Sequence, residues 1–195
     1  PPAALPALPA PLADGALRLA GALDNDGGSI NAGGGLDLDV RDGLDNSGGH
    51  LGLRELTMTR GDLGNAGGEL RVAGGAHLDV GRIGNDAGRW EVAGALVLRA
   101  QEFSNRGGQL SHSGTDAARV NVAGSFDNSD GQVASNASAL AIASGVLVNE
   151  RGRIEHAGAP GLTVDAGALH GLDGALVTAG AANVSAGTVD HRGAT

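Results

Sequence analysis

An eight-residue motif recurs about every twenty residues, and this repetition constrains the fold more than any other feature. The motif reads apolar, any residue, Asn, two unrestricted residues, Gly, any residue, apolar. Seven copies obey it, beginning at Leu23, Leu44, Leu63, Ile83, Phe103, Phe126 and Leu147. An eighth copy from Leu169 has Gly171 in place of Asn, and a ninth begins at Val189. Successive copies are 19–23 residues apart, a period typical of a solenoid.

Each repeat also contains short segments in which apolar and polar residues alternate. In one of them Leu36, Leu38 and Val40 alternate with Asp37 and Asp39. About three such segments fit in one repeat, separated by Gly-rich corners, and alternation with period 2 predicts β-strands. The helical period of 3.6 residues does not persist over ten residues anywhere, so we expect few helices or none.

Three short strands in one coil cannot form a sheet alone, but each can pair with its equivalents in the neighbouring coils. The sequence therefore predicts an all-β fold, a single right-handed parallel β-helix over residues 15–195. We expect about 8–9 coils with three strands each, forming three parallel sheets and a rod about 40 Å long. Right-handed winding follows from the strong bias of parallel crossovers. The Pro/Ala-rich residues 1–14 are predicted to be a linker or irregular edge.

One Asn per coil falls at an inward-facing position beside a corner. Because buried polar groups must be hydrogen-bonded, a stacked file of amides is the expected arrangement. The alternative is a ligand site lined by Asn, but a ligand does not need one residue from every coil. The predicted structural column consists of Asn25, Asn46, Asn65, Asn85, Asn105, Asn128 and Asn149.

The composition excludes several classes of function. The chain has no Cys, which rules out disulfides and thiol-based sites. Its net charge of −9 argues against nucleic acid as a partner. No apolar run approaches the roughly 20 residues that span a membrane as a helix, and no motif indicates a cofactor. Aromatic residues make up only 2% of the chain, which suits a thin core filled layer by layer.

The repeated coil, of the form LxNxxGxI followed by GGxLxL, resembles the filamentous haemagglutinin repeats of bacterial two-partner-secretion exoproteins. The resemblance covers residues 17 to about 176, and seven tandem copies make it specific. Members of this family include adhesins, contact-dependent growth-inhibition toxins and pore-forming cytolysins. The resemblance implies a rigid β-helical shaft, export through an outer-membrane partner by parts outside this chain, and display at the cell surface.

An RGD tripeptide at Arg60, Gly61 and Asp62 raises the possibility of adhesion to host receptors. Such binding needs Arg and Asp on an exposed, mobile loop with the carboxylate free. Here the tripeptide falls at a corner just before Leu63, where exposure is plausible but reach is short. Because Gly, Arg and Asp are common in this chain, chance occurrence is the favoured interpretation.

Other candidates for chemistry favour structural roles. Carboxylates are dense at Asp37, Asp39, Asp42 and Asp45, but they fit an outward-facing solubilising surface better than a calcium site. His112 and His156 occupy equivalent, inward positions two coils apart, which is too far for one metal ion. Trp90 occupies a core position. The 23-residue repeat near residues 111–120 leaves room for one small loop.

The sequence thus predicts a non-enzymatic structural shaft of a secreted, surface-displayed exoprotein that projects a distal module. One alternative is a direct adhesin that binds a receptor or glycan along the rod. A second is a carbohydrate-active β-helix enzyme, for which a groove lined by three or more carboxylates would be the indication. No nucleophile–base pair or phosphate-binding motif is evident in the sequence.

Overall fold

The computed structural model describes residues 15–31 and 36–193, and within these ranges the chain consists of β-strands and turns. The predicted linker 1–14 and the glycines at 33–35 lie outside the described residues. No helix in the described ranges is long and apolar enough to span a membrane.

Twenty strands lie in the described ranges, and they are short in the first coils and longer in the later ones. They are β1 (Gly15–Leu19), β2 (Ala22–Asp24), β3 (Ser29–Asn31), β4 (Leu36–Val40), β5 (Gly43–Asp45), β6 (His50–Leu53), β7 (Glu55–Met58), β8 (Leu63–Gly64), β9 (Glu69–Val72), β10 (Ala76–Gly84), β11 (Arg89–Val92), β12 (Leu96–Ser104), β13 (Gln109–His112), β14 (Ala118–Asp127), β15 (Gln132–Ser135), β16 (Ala139–Val148), β17 (Arg153–His156), β18 (Gly161–His170), β19 (Ala175–Thr178) and β20 (Ala181–Asp190).

All strand pairs are parallel, and each strand pairs with its equivalents one coil before and one coil after. The order β3-β6-β9-β11-β13-β15-β17-β19 makes an 8-stranded sheet, and the other strands make a 12-stranded sheet. The chain completes about eight turns, so the predicted all-β parallel solenoid is confirmed. Right-handed winding stays a prediction.

The solenoid has two sheets, and the prediction of three was wrong. In early coils the last segment of one repeat and the first segment of the next are separate strands, such as β7 and β8, but both belong to the 12-stranded sheet. From Ala76 onward the two segments merge into single strands of nine or ten residues. The junction around Gly81 still pairs with the coil before it, since Gly81 N donates to Gly61 O at 2.8 Å. The chain therefore bends within one sheet at this point.

Side chains at equivalent positions of successive coils lie over one another and fill the core. The first apolar residues of successive motifs form one such column. From the second motif onward they are at most 2% exposed: Leu44, Leu63, Ile83, Phe103, Phe126, Leu147 and Leu169. The rings of Phe103 and Phe126 stack with centroids 4.6 Å apart. Trp90 is fully buried, as predicted. Full burial of each such side chain stabilises the fold by about 1.5–3 kcal/mol.

The longest repeat distributes its extra residues between two places. The corner between His112 and Ala118 contains five residues, where the preceding corner between Val92 and Leu96 contains three. A further residue enters as an irregularity in the β12–β14 register after Ala100. The insertion therefore lengthens one corner slightly and does not create a long protruding loop.

Candidate functional site

The seven Asn of the motif lie in one hydrogen-bonded column inside the solenoid. The Nδ2 atom of Asn25 donates to Oδ1 of Asn46 at 2.6 Å, and the same bond repeats at 2.7 Å five more times, ending at Asn149. Asn25, at the start of the column, is 6% exposed, and the other six are fully buried. Strand register brings these residues together, because each Asn directly follows a paired strand of the 12-stranded sheet.

Each amide of the column also binds backbone carbonyls. The Nδ2 atom of Asn85 donates to Gln109 O at 3.1 Å in the next coil, and Asn105 donates likewise to Gln132 O at 3.2 Å. In the middle of the column each amide group is therefore both donor and acceptor, as buried polar groups require. These amides have no face open to solvent, which favours a structural role over an Asn-lined ligand site.

The turn after each Asn shows why the motif contains Gly. The amide of Gly108 donates to Asn105 O at 3.1 Å and closes the turn. A Cβ atom on Gly108 would overlap the carbonyl oxygen of Asn85 in the preceding coil. A Cβ atom on Gly68 would overlap Asn46 O in the same way. The motif Gly is needed because stacked backbones approach closely there.

A different residue of the same turn has positive φ. This is the residue immediately before the motif Gly, and its φ lies near +60° in coil after coil. In four turns it is Gly, and in four others it is another residue: Ala87, Asp130, Arg151 and Asp173, with φ between 51° and 55°. Left-handed φ and close approach of stacked backbones are therefore required at two different residues of the turn.

The column ends where the eighth motif lacks Asn. Asn149 donates only to the carbonyls of Gly152 at 3.2 Å and Ala175 at 3.1 Å. The space beside Gly171 is taken by the ring of His191, since a Cβ on Gly171 would meet His191 Nδ1. This Nδ1 atom is buried without a hydrogen-bond partner among the described residues. The substitution of Gly for Asn thus marks the end of the ladder.

The RGD tripeptide lies at an exposed corner, but its charged groups have intramolecular partners. Arg60 lies 3.3 Å from the carboxylate of Asp42, and Oδ1 of Asp62 accepts a hydrogen bond from the Arg82 amide at 2.8 Å. Gly61 has φ +78°, and a Cβ there would meet the backbone of Asp42. A receptor would therefore have to displace these contacts from a stacked corner.

A second internal column contains buried polar residues in the 8-stranded sheet. His112, Ser135 and His156 are aligned in successive coils and are 2–4% exposed. His112 Nε2 lies 2.6 Å from Gly94 O, and its Nδ1 lies 3.1 Å from Ser135 Oγ. His156 has no partner for either ring nitrogen among the described residues. The predicted inward placement of both histidines is confirmed.

Polar side chains on the outer face of the 8-stranded sheet form a ladder that sequence reasoning missed. His50, Glu69, Arg89, Gln109 and Gln132 are aligned in successive coils by strand register. Bonds link His50 to Glu69 at 3.0 Å, Arg89 to Gln109 at 2.8 Å and Gln109 to Gln132 at 3.3 Å. The bond from His50 lowers the pKa of the Glu69 carboxyl. The signal available in the sequence was a polar residue one position before the second apolar residue of each motif.

The outer face of the 8-stranded sheet has a groove lined by three arginines. This shallow groove of about 800 Å³ is lined by Arg54, Arg71 and Arg89, and Glu91 is the single carboxylate among the described lining residues. Arg71 pairs with Glu91 at 3.5 Å, and Arg89 pairs with the same carboxylate. Nowhere in residues 15–31 and 36–193 do three or more carboxylates or histidines gather to hold a metal ion.

The carboxylates near the beginning of the chain are arranged as surface groups. Asp37 forms two hydrogen bonds with Arg54 at 2.7 and 2.8 Å, and these bonds lower the pKa of its carboxyl. Asp45 accepts a hydrogen bond from the Ser47 amide at 2.9 Å. With Asp42 paired to Arg60, three of the four carboxylates have local partners.

The fold and its internal columns define this chain as a parallel β-solenoid with an Asn ladder. Comparisons with protein-family models, with curated proteins and with solved structures each found no match.

Proposed function

We propose that this chain is a structural shaft segment of a large, secreted, surface-displayed bacterial exoprotein, and that it holds a distal functional module away from the producing cell. The observation that carries the proposal is the unbroken column of seven Asn running along the solenoid axis. Such a column links consecutive coils mechanically along the length of the rod.

The supporting argument is one of stiffness. Each coil is held to the next by parallel backbone pairing, and the seven coils of the ladder are also joined by internal amide bonds. Repeat architectures of this kind depend on contacts between neighbouring units, so each interface contributes to the stability of the whole. Corners are short, so few residues are left to bend independently.

The family assignment is part of the same proposal. The repeated motif supports membership of the filamentous haemagglutinin-like repeats, with export through an outer-membrane partner by segments outside this chain. The contacts of the motif residues explain why Asn and Gly recur in each repeat. Asn builds the ladder, and Gly permits the close approach of coils.

The adhesin alternative is retained as a test because Arg60 and Asp62 are exposed. Their intramolecular contacts argue against it. If the rod is an adhesin that uses this tripeptide, purified protein should bind epithelial cells and Asp62→Ala should abolish that binding. Asp42→Ala is the matched control, since it frees Arg60 without removing the tripeptide.

Surface display is tested by labelling intact producing bacteria with antibodies raised against this chain. We expect label on unlysed cells or protein in the culture medium, and no binding of the purified chain to epithelial cells. Label that emerges only after lysis would contradict the proposal, and cell binding abolished by Asp62→Ala would replace it with the adhesin.

A further inference from the structure

One buried ionisable side chain is left without any hydrogen-bond partner by the fold. His156 is 2% exposed, and neither Nδ1 nor Nε2 has a partner among the described residues. It occupies the end position of β17, aligned with Ser135 of β15 and Thr178 of β19. The equivalent positions in earlier coils are apolar: Leu53, Val72 and Val92.

Among the described residues, no acidic group faces this ring from the elements around it. Within the column the neighbours are Ser135 and Thr178, and the next titratable group is His112, two coils away. Glu155 lies on the opposite face of β17, where it bonds to Gln132 at 3.2 Å. The buried side chains of β16 and β18 in the other sheet are apolar or small and carry no charge: Leu140, Ile142, Leu147, Leu162, Val164, Ala166 and Leu169. The adjoining corners contribute Ala137 and Gly158.

A proton on His156 would therefore be a buried charge with no carboxylate beside it, and the backbone of Ser135 is the one described group that favours it, although it forms no hydrogen bond of good geometry with the ring. Burial lowers the pKa of His156 below its ordinary value, the backbone of Ser135 counteracts part of this effect, and His112 lowers the pKa further. A buried, unpaired charge is costly enough that the surrounding structure opens or admits water instead.

His112 differs from His156 because its surroundings already satisfy it. Gly94 O accepts a hydrogen bond from its Nε2 at 2.6 Å, and Ser135 Oγ lies 3.1 Å from its Nδ1. If Nδ1 is protonated, it donates to the same oxygen. His156 is thus the acid-sensitive member of the pair.

We propose that His156 makes the coils of β15, β17 and β19 an acid-sensitive segment, which opens in mildly acidic solution while the coils of β9 and β11 remain closed. The sign follows from the two states. In the unfolded chain His156 titrates near pH 6.5, and in the folded chain it titrates lower. The stability that neutral His156 supplies is complete above about pH 6.5 and is lost as the pH falls through that value.

Hydrogen exchange of the full chain at pH 7.5 and 5.0, corrected for intrinsic exchange rates, tests this inference. Below about pH 6.5 we expect the opening constant of residues 132–135, 153–156 and 175–178 to rise by up to roughly ten-fold per pH unit. Residues 69–72 and 89–92 should change much less, and fluorescence of the single Trp90 should show that the rod stays folded.

The variant His156→Val, which copies the residue at Val72 and Val92, should abolish the local pH dependence. His77→Thr is the control, because it removes an exposed histidine beside Thr57 in the same column. Equal loss of protection in all coils, or persistence of the local effect in His156→Val, would overturn the proposal. If the Val variant fails to fold, NMR titration of the His156 ring in the unmodified chain decides, and a titration at or above pH 6.5 without local opening contradicts the inference.

Discussion

At the scale of single residues, the turn beside the ladder separates two uses of Gly that the sequence does not distinguish. Gly107 has φ +59° and open space around its Cβ position, whereas Gly108 is pressed against the carbonyl of Asn85. Ala87 occupies the position equivalent to Gly107 one coil earlier, with φ 51°. The first position therefore tolerates a side chain at the cost of strain, and the second does not.

The pair Gly107→Ala and Gly108→Ala tests this distinction directly. We expect Gly107→Ala to lower the free energy of unfolding by about 1–2 kcal/mol, the cost of a left-handed conformation. Gly108→Ala should lower it by more than about 3 kcal/mol, because the backbones of two coils must move apart. Urea unfolding followed by Trp90 fluorescence measures both. Equal effects of the two substitutions would show that the coils do not approach as closely as described.

The sequence predicted the positions of the structural Asn and Gly residues, but not the different role of each position in the turn. The spacing of Asn and Gly was visible because it recurs, and parity placed Asn25 and its equivalents inward. The left-handed residue was hidden because Ala87, Asp130, Arg151 and Asp173 are not Gly. Nor could spacing alone reveal that Ser135 supplies the hydrogen-bond partner of His112.

At the scale of elements, the Asn ladder ties the turns together in the way that strand pairing ties the sheets. Asn105 accepts from Asn85 and donates to Asn128, each at 2.7 Å. Removing one amide from the middle leaves a buried donor on one side and a buried acceptor on the other. A buried polar group without its partner costs about 1–3 kcal/mol.

We therefore expect Asn105→Ala to lower the free energy of unfolding by roughly 2–5 kcal/mol. Asn121→Ala is the matched control, since Asn121 is exposed on β14, and it should change stability by less than about 0.5 kcal/mol. Chemical denaturation of both variants gives the comparison. If Asn105→Ala lowers the free energy of unfolding no more than Asn121→Ala does, the ladder does not contribute to stability as described.

The number of sheets could not be obtained from local alternation. Period-2 patterns located the segments, but the residues between the last segment of one repeat and the first segment of the next read as a corner. In the structure the stretch around Gly81 keeps its backbone pairing with the coil before it, so the two segments stay in one sheet. Whether the strand continues or is interrupted there depends on this backbone pairing between coils. The sequence of a single coil gives no information about that pairing.

At the scale of the whole molecule, the large apolar side chains exposed in the described residues gather at one end of the rod. They are Leu172, Val177, Val184 and Val189, and the last two are 47% and 59% exposed. The residues one coil earlier in the same register, Val164 and Leu169, are 1% and 2% exposed. This 195-residue chain therefore presents an apolar surface and a strand edge without a partner among the described residues.

We expect this chain to self-associate reversibly as its concentration rises, and Val189→Asp to weaken that association at least several-fold. Sedimentation velocity over a range of concentrations measures it. Thr188→Asp is the control, because Thr188 directly precedes Val189 on the same strand and does not align with the buried Leu169. A chain that stays monomeric at high concentration, or equal weakening by the two substitutions, would contradict this expectation.

The overall architecture was the feature of the fold that the sequence predicted best. A 19–23-residue period, Gly-rich corners and a nearly aromatic-free composition leave a solenoid as the fold that buries the apolar positions. The module that the proposed shaft would carry would lie outside the repeats, so no pattern within the repeats predicts it.

The central claim is that consecutive coils stack so closely that their Asn amides form one internal column. Side-chain amide hydrogen exchange, measured by NMR, tests it with an internal control. The account predicts slow exchange for the Nδ2 protons of Asn46, Asn65, Asn85, Asn105 and Asn128, and fast exchange for the exposed Asn31, Asn121, Asn136 and Asn183. Uniformly fast exchange of all these amides would contradict it.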